Sequence, residues 1–323
     1  MKIRVRQDVY NTYWKFAAER QEVFFKKLRG EEPPYSSDPI LNTYKFCNTY
    51  RASDRVSQFL IKNVIYKPGN FTESDTLFRI FLFRLLNKIE TWQRLENRFG
   101  EVGLKNFSFS YYSQELTDIK SQGKTIYGNA FILCANKAFG FDRKHENHLV
   151  LLEKVFMKER LDKKLIGSKN LGELFVRLRE LPLIGDFMAY QLAIDFNYSE
   201  VFNFDENEFT VAGPGALRGI NKCFLALREE PSKIIMYMVD NQDREFARLG
   251  IRFQNLFGRS LKAIDCQGLF CEVDKYSRVK FPTIKSNRKR IKTKYTSQKE
   301  QINYFYPPKW DLNTRIRTFF GLD

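Results

Sequence analysis

From Ser74 to Gly100 the chain carries a helical pattern that is apolar on nearly every face. Leu77, Phe78, Ile80, Phe81, Leu82, Phe83, Leu85, Leu86, Ile89, Trp92 and Leu95 leave little room for water. A helix that is apolar all round is stable only when other elements surround it. The pattern therefore predicts one long helix, capped by Ser74, at the centre of a helical core. Further helices are predicted at 8–29, 40–50, 56–66, 112–121, 127–139, 146–160, 170–180, 214–228, 231–239, 242–257 and 265–275. Three prolines make 31–39 an irregular loop. Strand-like alternation is scarce, so the fold class is mostly α: one catalytic unit over 1–280, or two helical lobes with a cleft. A basic and aromatic extension over 281–323 follows.

The charge points to the partner. Lys and Arg number 54 against 38 Asp and Glu, a net charge of +16. An excess of this size implies a polyanion, most often nucleic acid, rather than only a solvated basic face. The run from Ser286 to Lys294, followed by Tyr304, Phe305 and Tyr306, fits a solvated tail and a phosphate-contacting arm equally well. Five cysteines (Cys47, Cys134, Cys223, Cys266, Cys271) form no CxxC pair and read as reduced thiols. The two histidines, His145 and His148, lie in a polar stretch and read as surface residues, so no metal or cofactor is expected. The polar start and the short apolar runs predict a soluble, cytoplasmic protein with no membrane contact.

Several local motifs carry possible chemistry. Leu181-Pro182-Leu183-Ile184-Gly185-Asp186-Phe187-Met188-Ala189 reads as a turn between two helices, the pair spanning 174–196. Pro182 stops the first helix, Gly185 is expected to hold a backbone shape that side chains disfavour, and the second helix offers free amides to a phosphate. Asp205 follows 20 residues after Gly185. Gly213-Pro214-Gly215-Ala216-Leu217-Arg218-Gly219 reads as an anion-binding loop with Arg218 as a phosphate fork. Around Tyr35, Asp38, Phe46, Asn48 and Arg51, aromatic and polar residues alternate as a flipped base would require, although caps and salt bridges explain the same residues. Lys275 and Arg278 are candidates for backbone phosphates, and Lys275 is equally placed to pair with Glu272. Gly123-Lys124-Thr125 is not a phosphate-binding loop, because Asp118 stands where the leading glycine belongs.

The hairpin resembles the helix-hairpin-helix of DNA glycosylases, whose catalytic aspartate lies where Asp205 does. Bifunctional members of that superfamily carry a lysine at the position of Phe187, so the resemblance implies a monofunctional enzyme. Five other segments accompany the hairpin: Asp38-Pro39-Ile40-Leu41, Phe46 to Arg51 with Asp54-Arg55-Val56, Phe83 to Asn87 with Glu90-Thr91, Gly213 to Gly219, and Cys271 to Tyr276. Together they resemble the α-glutamyl/putrescinyl thymine pyrophosphorylases, or amino acid:DNA transferases, which share a helical domain with 5-hydroxymethyluracil DNA kinases. The chain departs from the usual tryptophan before Asp38, having Tyr35-Ser36-Ser37.

The resemblance and the hairpin lead to a first expectation. A glycosylase flips a bulky modified pyrimidine out of duplex DNA, in antiphage defence, and cuts its glycosidic bond. Asp205 is the expected catalytic carboxylate, with Asp38 and Glu208 as alternates. Tyr35, Phe46, Asn48 and Arg51 would form the base pocket. Leu183, Gly185, Phe187, Gly213, Gly215, Arg218, Lys275 and Arg278 would hold the DNA. The alternative is a transferase that places an amino acid or polyamine on the 5-substituent of a thymine-type base and keeps the glycosidic bond. A third possibility is a DNA-binding protein without activity.

Overall fold

A computed structural model describes residues 4–131, 133, 137–225, 228–296 and 302–321. The chain divides into two compact units. One comprises Met1–Asp54, Phe209–Tyr304 and Leu312–Asp323, the other Arg55–Glu208 and Phe305–Asp311. Both are helical, as the sequence predicts. In chain order the first unit begins with α1 (Gln7–Leu28) and α2 (Pro39–Thr43). The second holds α3 (Arg55–Phe59), α4 (Glu73–Leu86), α5 (Ile89–Phe99), α6 (Phe109–Ser121), α7 (Lys144–Glu153), α8 (Leu161–Ile166), α9 (Leu171–Arg179) and α10 (Asp186–Asn197). The first resumes with α11 (Pro214–Cys223), α12 (Pro231–Arg248), α13 (Ala263–Lys280) and α14 (Asn313–Phe319). A two-residue antiparallel ladder joins Arg4–Val5 to Phe224–Leu225.

In the first unit α13 is the central helix. Tyr13 of α1 meets Phe270 at 4.7 Å, and Trp14 meets Phe246 of α12 at 5.1 Å, edge to face. α11 lies directly on α13, at a separation set by its glycines. A Cβ at Gly215 would stand 2.3 Å from Cys271 Sγ, and one at Gly219 would stand 2.0 Å from the Phe270 carbonyl oxygen. The Gly213–Gly219 segment, expected to be an anion-binding loop, is thus mostly a helix whose glycines permit close packing. Gly213 supplies its N-cap position.

In the second unit α4 is the central helix. Its residues Leu77 to Leu86 are all buried. The expected single helix from 74 to 100 is broken, however. Asn87 turns left-handed (φ 48°) and ends α4, and α5 starts two residues later. Asn tolerates that conformation better than other side chains. Here its amide also donates to the Ala130 carbonyl at 3.0 Å. Two arginines of α4 are buried in this core, Arg79 and Arg84, both with no exposed surface. Arg79 donates to the carbonyls of Val64 and Val102. Arg84 pairs with Asp195 of α10.

Other boundaries differ too. The helix expected at 40–50 ends at Thr43, because Tyr44 is extended and pairs across a bridge with Lys294. The two helices expected at 231–239 and 242–257 are the single α12, with no break between them. None of the described residues within 127–139 is helical; 132 and 134–136, including Cys134, lie outside the description. So do 226 and 227, in the last part of the helix expected at 214–228. No helix among the described residues is long and apolar enough to cross a membrane.

The histidines are not surface residues. His145 and His148 are 1% and 2% exposed, on α7. Burial holds His148 far below the ordinary histidine range, down to about 3, and Lys144 pushes the same way. Its Nδ1 lies 3.0 Å from the Tyr127 hydroxyl. The unfolded chain therefore takes up a proton below about pH 6.5 that the folded chain refuses. Stability contributed by neutral His148 is present above that pH and is lost as pH falls towards 3. Between pH 7.5 and 4.5 the loss is on the order of 3 kcal/mol. His148→Gln removes this slope, which urea unfolding at the two pH values measures. Equal losses in both proteins would show that His148 does not carry it.

Candidate functional site

In the first unit, the loop from Tyr44 to Asp54 is pinned on both sides. The Asn48 amide N–H donates to Asp54 Oδ1 at 2.7 Å, its side chain donates to the Ser53 carbonyl, and its Oδ1 accepts from Arg20 Nη2 at 2.9 Å. The Cys47 N–H donates to Glu272 Oε2 at 3.0 Å, and the Arg51 N–H to Asp265 Oδ1 at 2.8 Å. Lys275 pairs with Glu272 at 2.7 Å and donates to the Lys45 carbonyl at 3.0 Å. The two sequence segments 46–54 and 265–276 are thus brought together by α13 carboxylates that accept loop amides. Burial raises Asp54 to about 6, against the pull of the Asn48 N–H and Arg20.

Beside this loop lies a cavity of about 30 Å³. Its walls include Tyr35 and Phe46, two of the four residues expected in the base pocket. The other two are used elsewhere: Asn48 braces the loop, and Arg51 is 9% exposed within it. Arg20, Lys27, Leu41, Asn42, Tyr44 and Tyr295 also line the space. Arg20 and Lys27 are one heptad apart on α1, and this shared face was the available sequence signal for them. Tyr295 was hidden because it belongs to the C-terminal segment, which folds back. Its N–H donates to the Thr43 carbonyl at 2.9 Å, and the Lys45 N–H donates to Thr293 at 3.0 Å. Lys27 Nζ donates to the Tyr295 hydroxyl at 2.8 Å and lies 5.0 Å above the Tyr35 ring. Burial lowers the affinity of Lys27 for its proton, with the Tyr295 hydroxyl opposing. No carboxylate is among the lining residues.

The expected catalytic carboxylates have structural partners and fall in different units. Asp38 caps α2, accepting from Ile40 N at 2.7 Å and from the Tyr276 hydroxyl. Asp205 and Glu208 belong to the second unit, and both are exposed. Asp205 Oδ1 accepts from Asn207 N at 3.0 Å within its own turn. Glu208 Oε1 accepts from Leu171 N at 2.5 Å, at the start of α9.

The hairpin is present as α9, a turn and α10, with Asn170 capping α9 through Glu173 N at 2.8 Å. Its strained residue is not the glycine. Leu183 is left-handed at φ 69°, whereas Gly185 is ordinary at φ −88° with open space where a Cβ would stand. Asp186 pairs with Arg179 at the head of α10. Phe187 stacks on Phe131 at 5.8 Å.

Arg218 and Arg278 share a single buried carboxylate. Asp274 accepts from Arg218 Nε at 3.0 Å and from Arg278 Nη2 at 2.6 Å, and Lys222 Nζ lies 2.9 Å away. Arg278 Nη1 also donates to the Arg290 carbonyl at 3.1 Å, which ties the basic run to α13.

Comparison with known proteins identifies the family. The family model described as "5-hmdU DNA kinase, helical domain" matches residues 7–286. The chain is 25% identical over 335 residues to the 5-hmdU DNA kinase of Bacillus phage SP10, covering 94% of this chain and 52% of that protein. It therefore spans about half the length of the curated relative it matches. No solved structure matches. These findings overturn excision as the leading activity. A kinase transfers a phosphoryl group and leaves the glycosidic bond whole, so the relative supports group transfer on a modified base instead of a glycosylase. With 7–286 matched, the chain belongs to the 5-hmdU DNA kinase helical-domain family.

Proposed function

We propose that this chain binds DNA containing 5-hydroxymethyluracil-derived bases and acts as a transferase on the 5-substituent. The family match over residues 7–286 is the observation that carries this reading. The net charge of +16 supports a DNA partner. The exposed cations Arg288, Lys289 and Arg290, and the α9–α10 hairpin with Leu183, Gly185 and Phe187, are the proposed backbone contacts.

The reaction proposed is substitution. The 5-hydroxymethyl oxygen carries a phosphate or pyrophosphate, which makes it a leaving group. An amine of an amino acid or polyamine attacks the methylene carbon, a C–N bond forms, the C–O bond breaks, and the phosphate departs with its electron pair. The amine proton passes to solvent or base. No phosphate-binding loop of the Gly-x-x-x-x-Gly-Lys-Thr type is formed at Gly123-Lys124-Thr125, because Asp118 replaces the leading glycine. Substitution, unlike phosphorylation, requires no nucleotide triphosphate at this site.

The test incubates the protein with duplexes carrying 5-hydroxymethyluracil, or its phosphorylated form, together with amine donors. Digestion to nucleosides is then followed by mass measurement. An amine-bearing nucleoside supports transfer. A new phosphorylated nucleoside that requires added ATP would make the chain a kinase instead.

A further inference from the structure

We propose that the open cavity lined by α1, residues 35–46 and the returning C-terminal segment is an oxyanion pocket that takes one phosphoryl group. It rests on the proposed function only for where that group comes from.

Size is the first argument. A cavity of about 30 Å³ holds two or three waters at about 10–15 Å³ each. A site that holds two or three water oxygens suits the oxygens of one phosphoryl group.

Charge is the second. Arg20 and Lys27 both line the cavity, and no acid does. The nearby carboxylates do not line it: Asp54, which attracts Arg20, accepts from Asn48 N, and Glu272, which also attracts Arg20, accepts from Cys47 N and pairs with Lys275.

The third is an unused donor. Arg20 Nη2 donates to Asn48, but Nη1 is buried and has no hydrogen-bond partner among the described residues. A buried guanidinium N–H without an acceptor is costly, and a shift of the Arg20 side chain towards the cavity would give it a phosphate oxygen. Lys27 stands close to the rings of Tyr35 and Tyr295, a setting that favours its charged form once an anion arrives. Tyr35, Tyr44, Phe46 and Tyr295 line the space with aromatic rings.

The test uses the full chain. Its lysines are acylated with an amine-reactive ester at pH 8, with and without inorganic phosphate or pyrophosphate, against sodium chloride of equal ionic strength, and the modified peptides are weighed. Phosphate is expected to protect Lys27 saturably and to leave Lys289 unprotected. Arg20→Gln and Lys27→Gln are expected to weaken phosphate binding at least tenfold, and Arg20→Lys less. Duplexes identify the source of the group. If the variants lose affinity for DNA bearing phosphorylated 5-hydroxymethyluracil but not for unmodified DNA, the substituent fills the pocket. Equal losses assign it to a backbone phosphate. Lys27 modified at the same rate with and without phosphate overturns the pocket, and this result needs no variant to fold. Protection of Lys27 without any altered nucleoside would sink the transferase and leave the pocket standing. An altered nucleoside without protection would do the reverse.

Discussion

Arg84→Met is expected to destabilise the protein by about 3–5 kcal/mol, because it breaks a buried ion pair and removes the cation opposite Asp195 in the core of the second unit. Arg84 Nε lies 2.6 Å from Asp195 Oδ2, and Nη2 lies 3.0 Å from Oδ1, a two-point pair with neither side chain exposed. The remaining Nη1 donates to Asn87 Oδ1 at 2.7 Å, and the guanidinium lies 4.3 Å over the Phe131 ring. One residue thus joins α4, its left-handed end and α10. Because a buried pair contributes less than it costs to break, Arg84→Met combined with Asp195→Leu should recover part of the loss. Urea unfolding of Arg84→Met, Asp195→Leu and the double variant measures this. A loss below 1 kcal/mol in Arg84→Met would mean that water or a rearranged neighbour already serves Asp195.

Gly219→Ala is expected to cost about 3 kcal/mol, at the upper end of ordinary overpacking. The new Cβ would meet the backbone of Phe270, 2.0 Å from its oxygen and 2.6 Å from its carbonyl carbon, and backbone cannot rotate away. α11 would have to move off α13, carrying Arg218 from its 3.0 Å bond with Asp274. Gly215→Ala is the natural comparison. Its nearest obstacle is the Cys271 side chain, which can turn, so the cost should be smaller. Thermal unfolding of both variants gives the order. Equal midpoints for Gly219→Ala and wild type would show that the helices have slack the structure does not display.

These two sites show what could be read from the chain and what could not. The apolar run in α4 announced a central helix, but nothing local announced the buried pair of Arg84, because its partner Asp195 is 111 residues away. Glycines at 215 and 219 looked like an anion-binding loop, since close helix packing and close ligand approach both select glycine. The break at Asn87 depends on an amide donating to Ala130, a tertiary contact that local propensity does not report. The helical class, α1 and the turn between two helices near 181–185 were legible because they rest on short-range spacing. The cavity was half legible. Tyr35 and Phe46 lay in a visibly aromatic segment, whereas Tyr295 reaches it only after the chain turns back to pair with Thr43. Asp38, Asp205 and Glu208 were chosen by type and spacing. Each has a turn or helix start to satisfy, and a single sequence cannot distinguish that use from catalysis.

Whether the base stays on the sugar separates transfer from excision. Duplexes with one phosphorylated 5-hydroxymethyluracil are incubated with the protein and a polyamine or amino acid, then divided. One half is digested and weighed as nucleosides, and the other is heated in alkali. An amine-bearing nucleoside is expected in the first half and intact strands in the second. Strand breaks at the modified position, with free modified base released, would contradict transfer.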